Sequence, residues 1–502
     1  MSGELHPNFS AHDLKAGSSR ADDLPFELLS VIFKLVHQDL STRRGDLFKG
    51  INAFSTTSKR WHEVASSIPE LWSTIEIIID DQEETSHSKL LTTTTTFLKR
   101  SGNLPLSVML SFEHPRCDLV IKRTMRFIMT TFGLLLDNFQ RWRSVSFDFG
   151  NITFELPPLP RQVVAPFLEH IDIKFHSPWI PNPSYYAALV AAAPGLRSYV
   201  AHASNCNVPP NLPWGQLHKF HPASPIRQSD AYGILNRAKS LQEFHFVIHR
   251  DPGRVIAPPP VRITSPIRSM SVTGHGTCLL DFLIFSRLDT PHLKALGIFF
   301  LMHVVPRNIG LVQLPQQHDI VSSFLSNGSF RLSSLTIGDL LMTESQLMDC
   351  LRLLSPSLTT LKILTNTSLK ASDIHIFESF TNIVLISLTF HDISTRSGLL
   401  CPALESLTLG RCVGADDGVL SDMIQSRHGP SPMVVDRLST ANVAILRHLE
   451  VVFDANTAKT HPTDLMRLSE FYQEGLCGRI WQLPPEVETA SQSASLMAST
   501  TT

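Results

Sequence analysis

The chain is 502 residues long, 43% hydrophobic and nearly neutral, with 43 basic residues against 45 acidic ones and a formal net charge of −2. That length admits several domains, or one module ahead of an extended repeat array. The charge balance supplies no basic field for nucleic-acid phosphates. The seven cysteines (Cys117, Cys206, Cys278, Cys350, Cys401, Cys412, Cys477) are odd in number, scattered and without CxxC spacing. Free thiols in a reducing compartment are expected, not a disulfide framework. The first twenty residues lack a signal-peptide core, and no apolar run approaches the ~18–20 residues of a membrane span. A soluble protein of the cytoplasm or nucleus is expected.

Residues 1–20 are expected to be disordered, and a helical module is predicted over 21–80. Asp22 and Asp23 precede Leu24-Pro25, and proline suits the first helical position because its missing N–H would have been unpaired there. Glu27 complements the helix dipole. Leu28, Leu29, Ile32, Phe33 and Val36 follow at helical spacing and form one wide apolar face. The polar stretch STRRGDLFKG (41–50) predicts a loop. A second helix is predicted from Asn52 to Ser67, burying Phe54, Trp61, Val64, Ala65 and Ile68. Pro69 ends it, and Leu71, Trp72 and Ile75 close the small core. Periodicity alone also fits the first helices of a larger helical domain.

Residues 81–140 read as a helical linker and N-terminal cap, with the apolar run MRFIMTTFGLLLDNF (125–139) as a helix and the Thr92–Thr96 run as ordinary helix or linker. From 141 to 460 one pattern recurs: apolar-x-x-apolar-x-apolar. It begins at Trp142, Leu168, Leu241, Ile267, Leu293, Leu332, Leu358, Ile383, Leu404 and Leu446, with weaker matches at Leu196 and Leu217. First positions 241, 267 and 293 are 26 residues apart, as are 332 and 358, and 383 follows 25 residues after 358. This is the ~20–29-residue period of leucine-rich repeats. Each hexad predicts a short strand with its apolar residues inward and helical stretches between strands. One such unit cannot bury its face alone, but a stack can. Longer intervals after 293 and 404 predict inserted loops, PRNIGLVQLPQQHD (306–319) and SRHGPSPMVVDRLST (426–440). The alternative is an α/β enzyme with alternating strands and helices. Residues 461–482 predict a C-terminal capping helix, and 483–502 a disordered tail.

Leu24-Pro25-x-Glu27-Leu28-Leu29-x-x-Ile32-Phe33, Ser58-Lys59-Arg60-Trp61 and Pro69-x-Leu71-Trp72 together resemble the F-box, over about 50 residues. Thr57 and Ser58 stand near where members often carry Val-Cys. The continuation Phe97-Leu98-Lys99-Arg100-Ser101-Gly102-x-Leu104-Pro105-Leu106 is similar to the large fungal group of F-box proteins with leucine-rich repeats. The resemblance implies an α/β chain in which a helical F-box precedes an irregular leucine-rich-repeat solenoid of parallel strands, with helices on the convex side. It implies that Leu24, Pro25, Leu28, Leu29, Ile32, Phe33 and Trp61 form the docking face for the Skp-type adaptor of a cullin–RING ubiquitin ligase. The chain would act as a monomer within that hetero-complex and hold a target protein on its solenoid.

The search for bond-making chemistry nominates no residue. Gly274-His275-Gly276 lacks a Walker lysine and reads as a turn. Neither GxSxG nor HExxH occurs. Asp416-Asp417, flanked by Gly414 and Gly418, reads as a turn. His391, Cys401 and Cys412 lack metal-site spacing. His170, His218, His245 and His292, in or beside repeat strands, read as surface or satisfied core residues. No catalytic, cofactor or metal site is expected, and no membrane or nucleic-acid partner. Two alternatives to a ligase receptor stay open: a repeat scaffold without a ligase role, and a cytosolic enzyme with a site that no motif marks.

Overall fold

A computed structural model describes residues 24–482, apart from 42–44, 46, 80–83, 113–117, 150–158, 160–163, 175–182, 203–207, 210, 223, 250–262, 275–281, 283–287, 301–320, 327, 329, 340–342, 365–379, 392–398, 429–437, 440 and 454. The chain divides into two compact units: Met1–Asn205 with Pro209–Pro213, and Cys206–Val208 with Trp214–Thr502. The expected terminal tails, the 306–319 insertion and most of the 426–440 insertion lie outside the described residues.

The first unit opens with three helices, α1 (Phe26–Leu40), α2 (Leu47–Thr57) and α3 (Lys59–Ser66), followed by a 3₁₀ turn at Pro69–Trp72. Pro25 stands at the N-cap of α1, one position earlier than expected. The single second helix expected over 52–67 is two helices, and part of the expected loop is already helical in α2. Ser58 explains the break. Its backbone is extended (φ −156°), and its side chain accepts the Trp61 N–H at 3.2 Å, which caps α3.

A parallel sheet then begins earlier than the hexads indicated. Its strands are β1 (Thr74–Ile79), β2 (Leu106–Phe112), β3 (Trp142–Asp148), β4 (His170–Lys174) and β5 (Ser198–His202), paired in that order. Helix α4 (Glu84–Arg100) joins β1 to β2, α5 (Asp118–Leu136) joins β2 to β3, and α6 (Pro183–Ala191) precedes β5. The expected helical segment 81–140 therefore contains a strand, and the expected module 21–80 contains the first strand of the sheet. Ile75, Ile77 and Ile79 are buried opposite Val108, Leu110 and Phe112. These are period-two alternations, which form strands when one face is covered.

The second unit continues the pattern. Strands β6 (Lys219–His221), β8 (Glu243–His249), β10 (Ser269–Gly274), β12 (Ala295–Phe300) and β13 (Ser334–Gly338) lie side by side in one parallel sheet. They are followed by β14 (Thr360–Leu364), β15 (Ser406–Gly410), β16 (His448–Phe453) and β17 (Cys477–Gln482). Short β7 (Ile226–Arg227) pairs with β8, and β9 (Ile263–Thr264) pairs with β11 (Leu288–Asp289). Helices α7 (Gln228–Arg237), α8 (Glu344–Leu354), α9 (Asn382–Leu388), α10 (Val419–Arg427), α11 (Ala455–Thr460) and α12 (Pro462–Gln473) come between strands.

The hexads account for this core. Leu293, Leu296 and Ile298 are buried, as are Leu358, Leu361 and Ile363, and the register places Leu296, Leu335, Leu361, Leu407 and Leu449 next to one another. A backbone ladder continues one residue ahead of the strands: Arg268 N–H to Gln242 O, Lys294 to Arg268, Ser333 to Lys294, Thr359 to Ser333 and Glu405 to Thr359, each at 2.8 Å. Each of these repeats thus satisfies polar backbone of its neighbour, which is what lets the stack grow.

Two expectations in this unit are corrected. The hexad at Ile383 is helix α9, which buries Val384, Leu385 and Leu388 and exposes Ile383 and Ile386. The second, third and sixth residues of the hexad face inward, a helical spacing. The capping helix expected over 461–482 is α12 alone, after which β17 adds a further strand to the sheet.

Arg427 ties α9 and α10 together. It is fully buried, and its guanidinium donates to Leu388 O at 2.7 Å, Leu400 O at 2.8 Å and Cys401 O at 2.9 Å. Leu388 O lies at the C-terminus of α9, where carbonyls have no partner within the helix. Burial pushes the Arg427 guanidinium down to about 10, against a smaller opposing effect of Cys401, so it stays charged at neutral pH.

Candidate functional site

Helix α1 has nine large apolar residues among fifteen, spread around most of its circumference. One edge is used internally. Leu29 and Phe33, one helical turn apart, are fully buried. Phe33 stacks on Phe54 at 4.4 Å between ring centroids with planes 12° apart, and Trp61 tilts against it at 5.1 Å. Below this cluster Trp72 is buried, donates Nε1–H to Ala65 O at 2.8 Å, and lies edge-on to Phe97 at 5.0 Å under the Arg100 guanidinium. Gly50 lets α2 come close to α1: a Cβ there would fall 2.1 Å from Leu40 Cδ1. The Gly45 N–H donates to Glu76 Oε1 at 2.7 Å, which pins the α1–α2 turn to β1.

The rest of α1 faces outward. Phe26, Leu28, Val31, Ile32, Leu35 and Val36 are 36–61% exposed. Leu28, Ile32 and Leu35 form one stripe at i, i+4 and i+7, with Val31 beside it. An apolar stripe rimmed by charge marks an interaction surface more often than scattered exposed leucines do. The rim here includes Lys34, paired with Glu70 at 2.8 Å.

The seven residues singled out in the sequence thus separate. Leu28, Ile32 and Pro25 lie on the exposed side. Leu29 and Phe33 lie inside the module and hold α1 in place. Leu24 is half-buried, and its carbonyl accepts Arg60 Nη2–H at 2.5 Å. Trp61, expected in the core, is only half-buried, with an indole N–H that has no hydrogen-bond partner among the described residues. Phe26, Val31 and Leu35 belong to the exposed stripe and were not singled out. Their signal was the continuous apolar run, which hides which side faces inward.

Other groups of reactive side chains are occupied structurally. Asp417, His461 and Asp464 bring a possible ligand set within 4.8 Å. Asp417 already accepts the Thr463 and Asp464 N–H groups at 3.1 and 3.0 Å, capping α12. Asp464 accepts the Ser421 N–H at 2.8 Å and faces His461 Nδ1 at 3.0 Å. The turn expected at Asp416-Asp417 is thus a helix-capping turn. Cys350, Cys401 and Cys412 are buried, and burial pushes each thiol up to about 12, far from a reactive thiolate. His245 stacks on His221 at 3.9 Å. Burial pushes the His245 imidazole down to about 4, against the upward effect of Glu243 and helped by Lys219, so it is neutral at pH 7. No helix among the described residues is long and apolar enough to cross a membrane.

No family model matches the chain. No curated protein matches it either. Among solved structures it is similar to the crystal structure of a Bacteroides fragilis protein, at 8% identity, TM-score 0.29, covering 79% of this chain and 82% of that one. It is also similar to the crystal structure of the Rad7 and Elc1 complex in yeast, at 12% identity, TM-score 0.31, covering 76% of this chain and 90% of that one. TM-scores this low carry neither fold nor partner across to this chain.

Proposed function

We propose that the chain is a substrate receptor of an SCF-type ubiquitin ligase, whose α1 docks on a Skp-type adaptor through its F-box-like module and whose repeat sheet holds a target protein. The observation that carries this reading is the apolar stripe of Leu28, Ile32 and Leu35, uncovered among the described residues, on a helix fixed by Leu29 and Phe33. An amphipathic helix set into a groove is a common recognition mode, read as i, i+3, i+4 and i+7 anchors. The chain makes no bond itself. It raises the local concentration of target near a ubiquitin-charged enzyme, a proximity effect.

The test is capture of a purified Skp-type adaptor by the full chain. Wild type is expected to bind at micromolar concentration, and the Leu28→Asp, Ile32→Asp double variant to lose about tenfold or more, because a charge placed in a desolvated apolar contact costs more than 1.4 kcal/mol. Its melting temperature is expected to stay at the wild-type value, since both side chains are exposed. Absence of capture by wild type, or equal capture by the variant, rejects adaptor docking and leaves the repeat scaffold without a ligase role.

A further inference from the structure

The second residue of each hexad sits at one end of its strand, and the backbone ladder sets these residues side by side from repeat to repeat. Where two neighbours in this row are charged, their signs usually alternate. In the first unit Arg143 and Glu169 meet at 3.3 Å, and Arg197 follows Glu169. In the second unit Glu405 and Arg447 are neighbours, and one position further along the strands Lys219 and Glu243 pair at 3.0 Å. Arg268 and Lys294 break the rule. Lys294 N–H donates to Arg268 O at 2.8 Å, so two cations stand on adjacent strands, about 5 Å apart at the backbone. Both residues are exposed, and neither side chain has an ion pair or hydrogen bond among the described residues. Asp289, the acid nearest Lys294 in sequence, is engaged elsewhere. Like charges set opposite each other on neighbouring strands are destabilising.

We propose that Arg268 and Lys294 receive an acidic segment of the target protein, with Asp or Glu carboxylates supplying the two negative charges that the row lacks there. The proposal rests on the target-receptor reading above and adds the chemistry of the target. The site is open: the first two outward positions of β10 and β12 are small, Ser269 beside Ala295 and Ser271 beside Gly297. The row also sets the size of the occupant. Gln242 and Ser333 flank the two cations, so the positive charge is two strands wide. A nucleic acid needs a longer track of phosphate contacts than that. Carboxylates fit better than a phosphate group, because the nearby backbone donors are used. The Arg268 and Ser269 N–H groups donate to Gln242 O, and those of Lys294 and Ala295 to Arg268 O, which leaves none to cradle a tetrahedral anion. What remains is two long, separate side-chain donors, each suited to a carboxylate of its own. Unpaired charge of one sign also steers encounter and rejects basic segments.

The test is retention of degenerate nonapeptide libraries on the immobilised full chain: neutral, basic, acidic with two or more Asp or Glu, and phosphoserine in place of those acids. Wild type is expected to retain the acidic library about fivefold over the neutral one and about tenfold over the basic one. Lys294→Glu recreates the arginine–glutamate neighbours of Arg143 and Glu169, so the fold is expected to hold while the acidic preference falls below about twofold. The Arg268→Glu, Lys294→Glu double variant is expected to prefer the basic library by about fivefold, and that gain of binding also shows that it is folded. The proposal is overturned if wild type has no acidic preference, or if the double variant keeps the wild-type preference or binds neither charged library. It is also overturned if phosphoserine is retained tenfold over Asp and Glu, or if a single-stranded oligonucleotide displaces the acidic peptides. Adaptor capture, measured on the same preparations, reports the ligase reading separately.

Discussion

The N-terminal module and the repeats of the second unit spend similar amounts of Leu, Ile and Val in different ways. In the repeats, hexad residues such as Leu293, Leu335, Leu361 and Leu407 are all but completely buried, because the next strand–helix unit covers them. In α1 only Leu29 and Phe33 are covered, and six other apolar side chains face outward. Composition alone therefore does not distinguish a core from an interface. What distinguishes them is whether the fold supplies a second surface at the right distance. The repeats end that question internally. The outer face of the helix stays uncovered among the described residues.

The largest expected effect tests how closed the second unit is. Arg427→Ala removes three hydrogen bonds to Leu388, Leu400 and Cys401 carbonyls and opens a large cavity where a buried guanidinium stood. A loss of about 3–5 kcal/mol is expected, read as a lower urea midpoint for tryptophan-independent signals of that unit, such as protection of the α9 and α10 amides. A loss below ~1 kcal/mol would show that these helices do not depend on a shared polar anchor.

Trp61→Ala tests the module in the same terms. Trp61 is half-buried against Phe33 and Phe54, at 5.1 and 6.5 Å between ring centroids. The expected cost is about 2–3 kcal/mol, under the ~3–5 of a fully buried aromatic. Hydrogen exchange of the α1–α3 amides measures it locally, and unchanged protection removes Trp61 from the module's core.

Much of the repeat architecture was legible because the hexad reports both periodicity and burial. The two segments Leu332-Ser-Ser-Leu-Thr-Ile-Gly-Asp339 and Leu404-Glu-Ser-Leu-Thr-Leu-Gly-Arg411 repeat nearly residue for residue, and each ends on a residue with positive φ, Asp339 at 52° and Arg411 at 52°. Among the strands that were missed, β1 carries the full pattern as Trp72-x-x-Ile75-x-Ile77, with Trp72 and Ile75 already assigned to the module core, whereas β2 and β17 lack an element of it. In β2 the first hexad position falls on Pro105. In β17 Ile480, opposite Val451, is the one apolar residue at the hexad's core positions, because the position that pairs with Leu449 is Gly478. Glycine is required there: φ is 131°, and a Cβ would lie 1.7 Å from Leu449 O. For the exposed stripe of α1, the sequence marks an apolar helix but not its buried side, because that side depends on where Phe54 and Trp61 are placed by α2 and α3.

The smallest expected effect separates a helix from a strand at Ile383. Read as a repeat strand, Ile383 and Ile386 would both be core residues, and exchange for Gln would cost several kcal/mol each. In α9 they are 57% and 52% exposed, while Val384, Leu385 and Leu388 are buried. The Ile383→Gln, Ile386→Gln double variant should therefore stay within about 0.5 kcal/mol of wild type per site, the range of ordinary surface substitutions. Val384→Gln in the same helix should cost several times more, about 2–4 kcal/mol, because it places an amide among buried apolar groups. The reverse ranking would restore a regular 25-residue step after Leu358. The observed one instead makes Leu358 to Leu404 a single long repeat, with α9 as its helix and Arg427 holding the end of that helix in place.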